Sequence, residues 1–250
     1  MKELMVYTKI VSSPGPKLAV LIDPDKQSPG SLTQLIQLAV NCKVDFFFIG
    51  GSLLLEKNFE ATIEAIKSHC SIPVIIFPGS NYQLSSKADA VLFLSLISGR
   101  NPDYLIGQQV VAAPTIKKMD LEAIPTGYIL IDGGRTSSTS YITQTMPIPH
   151  NKIDLAIATA QAGELLGMKL IYLEAGSGAK NSVSAEMIKT VKRNISVPLI
   201  VGGGIRTSEQ AEEICKAGAD ILVIGNALEE TPGLLMEISL AVHSANKEKR

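Results

Sequence analysis

The 250-residue chain contains no tryptophan, only three cysteines and three histidines, and 5% aromatic residues. Each scarcity narrows the chemistry. Cys42, Cys70 and Cys215 are widely spaced, odd in number and form no CxxC pair, so neither a disulfide framework nor a thiolate metal site is indicated and reduced thiols are expected. His69, His150 and His243 are equally scattered and make no HExxH motif, which leaves them surface or structural roles. An excess of one charge is also missing. Lysine and arginine number 23 against 24 acidic residues, for a net charge of −1, so a general attraction to nucleic acid or to an anionic membrane is not expected. No apolar run approaches the ~18 residues of a membrane span, and the first eleven residues lack a signal-peptide core. A cytoplasmic protein is expected, and peripheral contact with a membrane surface is compatible with that.

The chain is rich in short apolar segments that end in glycine. With 46% hydrophobic and 19% charged residues it can bury a full core. Residues 17–22, 44–49, 72–77, 90–94, 127–131, 168–173, 199–201 and 221–224 read as strands, too short and too apolar for exposed helices. Helical spacing falls at 31–40 with Ser31 as the cap, then at 59–68, 101–109, 153–166 (strongly amphipathic), 184–193, 208–217 and from 231 onward. A short leading helix within 1–11 precedes the breaker Ser12-Ser13-Pro14-Gly15-Pro16, and the basic tail 246–250 is expected to fray.

This rhythm predicts a single-domain closed (β/α)8 TIM barrel over 1–250, lacking a full helix between strands three and four. A doubly wound open sheet is the alternative, but no GxGxxG follows Ile22. The polar stretch 132–141, opened by Asp132-Gly133-Gly134-Arg135, is long enough to read as a lid or binding loop.

In a parallel barrel the chemistry lies beyond the carboxyl ends of the strands, which gathers Asp23, Asp25, Ser52, Glu174, Gly203, Gly204 and Asn226. Glu174 ends strand six and opens the loop Ala175-Gly176-Ser177-Gly178, where it is read as a general base or as a carboxylate tied to loop amides. Gly203 and Gly204, with Gly225 and Asn226, suit a phosphate monoester; the plainer reading is tight turns. Asp23-Pro24-Asp25 supplies oxygen ligands suited to Mg²⁺, with Ser52 adding a hydroxyl, although such residues also start turns. Tyr172 shares the inward face of Glu174 or serves packing.

Taken together, Asp23-Pro-Asp-Lys26, Gly50-Gly51-Ser52, Tyr172-Leu-Glu-Ala-Gly-Ser-Gly178, Gly202-Gly-Gly-Ile205 and Gly225-Asn226 resemble the geranylgeranylglyceryl phosphate synthase family from strand one to strand eight. The resemblance implies Mg²⁺-dependent transfer of a geranylgeranyl group from its diphosphate to the sn-3 hydroxyl of sn-glycerol 1-phosphate. It implies Asp23 and Ser52 as metal ligands, and Tyr172, Leu173, Glu174, Ala175, Gly176, Ser177, Gly178, Gly203, Gly204, Gly225 and Asn226 as acceptor-binding residues, with Glu174 the base. It further implies a homo-oligomer and Tyr104 as the limit on prenyl length. The family's loop often carries another aromatic after the glutamate, where this chain has Ala175-Gly176. A longer, heptaprenyl donor and a sugar-phosphate isomerase or lyase on the same barrel are the alternatives.

Overall fold

Alternation along a strand decides whether a side chain enters the barrel or meets the surrounding helices. The computed structural model describes residues 5–56 and 58–248, without the side chains of 229, 230 and 246–248. Its eight parallel strands are β1 (Lys17–Ile22), β2 (Phe46–Ile49), β3 (Val74–Ile76), β4 (Ala90–Leu96), β5 (Glu122–Leu130), β6 (Leu170–Glu174), β7 (Leu199–Gly202) and β8 (Ile221–Ile224). Each pairs with the next, and β8 closes on β1 with Ala19 beside Val223. Phe46, Phe48, Leu92, Tyr128, Tyr172, Ile200 and Val223 fill the interior, while their neighbours Phe47, Ile129, Leu173, Val201 and Leu222 face the helices. The parallel (β/α)8 barrel read from the sequence is therefore the architecture.

One end of the barrel is filled by α1 (Met5–Ser12), whose Val6 and Ile10 join the interior cluster. Glu122, at the start of β5 and buried, accepts hydrogen bonds from Val6 N at 2.9 Å and Tyr7 N at 2.8 Å. The carboxylate thus satisfies two of the first amides of a helix, which have no partner within the helix itself. The remaining helices are α2 (Pro29–Asn41), α3 (Phe59–His69), α4 (Gln108–Met119), α5 (Ser138–Thr143), α6 (Ile153–Leu165), α7 (Ala185–Arg193), α8 (Ser208–Ala217), α9 (Asn226–Glu230) and α10 (Leu234–Glu248). Among the described residues none is long and apolar enough to cross a membrane.

Several boundaries differ from the sequence reading. Ser28, not Ser31, caps α2, and Ser31 is the reciprocal member of the capping box. Strand β5 begins at Glu122, five residues earlier than expected, because a polar residue there is retained to hold α1. The helix expected over 101–109 starts as a π-helical turn (Asp103–Gly107) and continues as α4 to Met119. Helix α6 is not strongly amphipathic. Its inward face is made of the small residues Ala156, Ala160 and Gly163, while Leu155, Leu165 and Leu166 are exposed. Helix α10 runs through the start of the tail expected to fray, and 249–250, like residues 1–4 of the leader, lie outside the described residues.

Between β3 and β4 there is no helix, as expected. Gly79 comes so close to β2 that a Cβ would lie 2.1 Å from Gly51 O, and Gln83 Nε2 donates to that same carbonyl at 2.9 Å. The connection folds down as a tight, side-chain-tied loop, so on its β3 side the flank of β4 has no helix from this connection over it.

Replacing Glu122 with alanine leaves two helix amides unpaired. Urea unfolding is expected to show a loss of about 2 kcal/mol, with a smaller loss for Glu122→Gln, which keeps an acceptor. Equal stability of wild type and Glu122→Ala would show that α1 is not held by this carboxylate.

Candidate active site

Glu174 is 6% exposed at the end of β6, in register with Leu130 on one side and Gly202 on the other. Its Oε1 accepts a hydrogen bond from Gly176 N at 2.8 Å. Burial pushes its carboxyl up from an ordinary 4.5 to about 7, the hydrogen bond from Gly176 and the neighbouring Tyr172 hydroxyl opposing the rise. A group that titrates near neutrality inside a cavity is suited to accepting a proton at the working pH.

Two glycines of the β7 end make room for it. A Cβ on Gly203 would lie 2.3 Å from Glu174 Oε1, and that residue holds φ +86°, a conformation suited to glycine. A Cβ on Gly202 would lie 2.6 Å from the Tyr172 hydroxyl and 2.9 Å from Glu174 Oε2, so the phenol and carboxylate meet over this residue. The Tyr172 hydroxyl is buried and without a hydrogen bond of normal geometry among the described residues. Its pKa is pushed well above the ordinary 10 by burial and then by the Glu174 charge, so it stays a neutral donor beside the carboxylate. Phe77, Tyr128 and Tyr172 pack as a trio, with Phe77 and Tyr172 stacked at 5.3 Å and Tyr128 and Tyr172 edge-on at 5.3 Å.

This group forms part of a cavity of about 730 Å³. Ser177, Gly178, Gly203, Gly204, Gly225 and Asn226 line its polar side, and Ser177 Oγ donates to Asn226 Oδ1 at 2.9 Å, joining the segments that follow β6 and β8. Asn226 begins α9 rather than lying in a loop. All of the expected acceptor residues line this cavity except Leu173, Ala175 and Gly176, the last of which faces Glu174 through its N–H. Leu173 and Ala175 belong by alternation to the outer layer between strands and helices, so neither side chain lines the cavity.

Across the cavity, Asp23 directly follows β1, and its pKa is raised mainly by burial. Gly51 approaches it so that a Cβ would lie 3.2 Å from Asp23 Oδ1, which brings the next residue, Ser52, to the same rim. A carboxylate and a hydroxyl facing a cavity form an all-oxygen donor set that fits Mg²⁺, an ion that keeps several waters and binds substrate phosphates. Asp25 is otherwise engaged, since its Oδ2 accepts from Leu55 N at 2.6 Å. Lys26 lies 3.9 Å from Asp23 Oδ2 and also lines the cavity.

The polar stretch after β5 is not irregular throughout, since it contains α5, and Ser138, Thr139, Ile142 and Thr143 of that helix line the cavity. Thr139 Oγ1 lies 3.2 Å from Ser52 Oγ and is also hydrogen-bonded to the Tyr128 hydroxyl. Tyr128, Phe77 and Thr139 were not among the expected site residues. Period-two alternation places Tyr128 inward on β5, but no sequence signal marks Thr139, because its position depends on how α5 folds over the rim.

The cavity continues over β4, where Leu84, Phe93, Leu94, Tyr104, Ala112 and Ile116 supply apolar walls. Tyr104 sits in the π-helical turn. Carbonyls left over by that turn find side-chain donors: Ser95 Oγ to Leu105 O at 2.8 Å and Gln109 Nε2 to Tyr104 O at 3.3 Å. Single π-helical turns recur at functional sites, and here the turn presents an aromatic ring to the cavity.

The chain resembles known proteins along nearly its whole length. It is 52% identical over 227 residues to geranylgeranylglyceryl phosphate synthase of Chitinophaga pinensis, covering 91% of this chain and 90% of the relative. It is 46% identical over 216 residues to the protein of that name from Pyrococcus abyssi, covering 86% and 85%. The crystal structure of (S)-3-O-geranylgeranylglyceryl phosphate synthase from Thermoplasma acidophilum, in complex with sn-glycerol-1-phosphate, superimposes with a TM-score of 0.90 at 33% identity, covering 98% of this chain and 99% of that one. The model of the PcrB family matches residues 16–243, and with these relatives it shows that the chain belongs to the PcrB family.

Proposed function

We propose that this chain is a prenyltransferase that joins a geranylgeranyl group, carried as its diphosphate, to the sn-3 hydroxyl of sn-glycerol 1-phosphate. The observation that carries the reading is Glu174, a buried carboxylate with a pKa near 7, placed where a glycine-rich polar bowl meets an apolar flank. The names of the relatives and the ligand of the Thermoplasma acidophilum enzyme support the same substrates.

The polar bowl positions the acceptor, with its phosphate toward Ser177, Gly203, Gly204 and Asn226 and its free hydroxyl toward Glu174. As the hydroxyl oxygen attacks C1 of the prenyl donor, the C1–oxygen bond to diphosphate breaks, its electron pair leaves with the diphosphate, and the hydroxyl proton passes to Glu174. Tyr172, neutral and in need of a partner, supplies a hydrogen bond that holds the reacting oxygen or the carboxylate in line. Asp23 and Ser52 would hold Mg²⁺, which when bound would supply charge neutralisation for the departing diphosphate. The aromatic trio and the α4 flank keep water away from the reacting carbon and bury the tail.

Each buried CH₂ contributes roughly 0.8 kcal/mol, so each five-carbon unit is worth about 4 kcal/mol when fully covered. Tyr104, between β4 and α4, stands where further units would have to pass, which supports a C20 donor over a heptaprenyl one. Exposed Ile106, Val110 and Val111 on one side of the barrel, and Leu155, Leu165 and Leu166 on α6, support the expected homo-oligomer. An amphiphilic product and the absence of a spanning helix among the described residues support work at the cytoplasmic surface of a membrane.

Incubation with sn-glycerol 1-phosphate, Mg²⁺ and donors of graded length, read by mass spectrometry, is expected to give a C20 ether that disappears on chelation of the metal. No ether with any donor would overturn the assignment. Tyr104→Ala is expected to raise the rate with a C35 donor relative to C20, whereas an unchanged ratio would remove Tyr104 as the limiter. The acid limb of kcat/KM should have its midpoint near pH 7 and be lost with most activity in Glu174→Gln.

Stability should move the opposite way. A carboxyl whose folded pKa is raised stabilises the fold below its unfolded value near 4.5, and the contribution is lost as pH rises toward 7. Glu174→Gln, which keeps the shape without the charge, is expected to be more stable than wild type above pH 7 by up to about 3 kcal/mol. Denaturant unfolding at pH 5 and pH 8 checks this, and an equal difference at both values would contradict it.

A further inference from the structure

We infer that Arg135 is a further binding residue for the phosphate of the acceptor, an inference that rests on the prenyltransferase reading above. Arg135 lines the cavity from the loop between β5 and α5, and that loop is tightly built. Gly133 lies so close to the loop after β6 that a Cβ would sit 2.4 Å from Ala175 O and 2.5 Å from Ala179 Cβ. Its carbonyl accepts from both Lys180 N at 2.8 Å and Asn181 N at 3.0 Å. Gly134 then turns the chain with φ +81°, its N–H donating to Asp132 Oδ1 at 2.9 Å. Two stitched loops and two positions suited to glycine deliver the next residue over the cavity rim.

There the guanidinium lies against Gly178, where a Cβ would be 2.3 Å from Nη2 and 3.2 Å from Cζ. Two other cations line the same cavity, and both are engaged. Lys26 faces Asp23, and Arg206 donates to Ala179 O at 2.7 Å and to Lys180 O at 3.3 Å, gripping the loop from its other face. Arg135 has no hydrogen bond or ion pair with another described residue. A guanidinium presents a planar fork of donors matched to phosphate oxygens, and one without an acidic partner beside a glycine-rich anion bowl has that capacity to spare. Its place over Gly178 puts it against the loop whose Ser177 is bonded to Asn226, and so on the acceptor side of the cavity.

The test is calorimetric titration of sn-glycerol 1-phosphate alone into wild type, Arg135→Gln and Arg135→Lys, together with KM for each substrate and a melting temperature. Loss of a charge-assisted, two-point contact is expected to weaken acceptor binding roughly ten- to hundred-fold in Arg135→Gln. Arg135→Lys should fall between, because it keeps charge but not the fork, while KM for the prenyl diphosphate and the melting temperature stay unchanged. Equal acceptor affinity in wild type and Arg135→Gln would overturn the inference and leave the prenyltransferase reading intact. So would a loss that falls on the donor's KM, or one shared by both substrates with a lowered melting temperature. Failure of the wild type itself to bind the acceptor would instead sink the reading on which the inference stands.

Discussion

A buried carboxylate is the constraint around which this barrel is arranged. Charging Glu174 where it sits is costly, because a low-dielectric strand end replaces solvent with one backbone amide and one neighbouring phenol. The neighbourhood follows from that. Gly202 and Gly203 are small because the carboxylate and Tyr172 occupy the space a side chain would take, and Gly176 turns its N–H toward Oε1. The aromatic packing of Phe77, Tyr128 and Tyr172 keeps the surroundings dry enough for the carboxyl to titrate near neutrality. Loosening the packing would admit water and return the group toward an ordinary acid, and so to a weaker base.

Around this point the strand ends divide the cavity by chemistry. The segments after β6, β7 and β8 contribute glycines, a serine and an asparagine, while those after β1 and β2 contribute an acid and a hydroxyl. On the far side, β4 and α4 offer hydrocarbon. The division follows from topology, because no helix follows β3, and the outward-facing Phe93 of β4 shares a cavity wall with Ala112 and Ile116 of α4. Helix α5 then spans the rim, its Thr139 touching both Ser52 and Tyr128 and so bridging the Asp23 and Ser52 rim to the aromatic floor.

The barrel was legible because its strands are short apolar runs at regular spacing and its glycines follow them; β1, β8 and α8 agree residue for residue with the sequence reading. Glu174, Asp23 and the glycine pairs were legible because position after a strand is itself a sequence property. Three kinds of feature were not. The extension of β5 back to Glu122 is set by a tertiary bond to α1, and α5 is a six-residue helix among serines and threonines with no apolar stripe. The outward packing of Leu173 and Ala175 was hidden for a simpler reason: a motif read as a run of letters does not say that every second side chain turns away. Helix α6 misled because small residues, not large apolar ones, form its buried face.

The missing helix also bears on how such a protein can change. Glu174 and its glycines are supplied by β6 and β7, whereas the apolar wall is supplied by β4, the π-helical turn and α4. Residues on separate elements with few shared partners contribute nearly independently. On the proposed reading, a lineage could alter the lipid tail it accepts by substitutions in one helix and its preceding turn while the base, its pKa and the phosphate bowl stay as they are. A barrel that gives up one helix thereby acquires a part that can vary by itself.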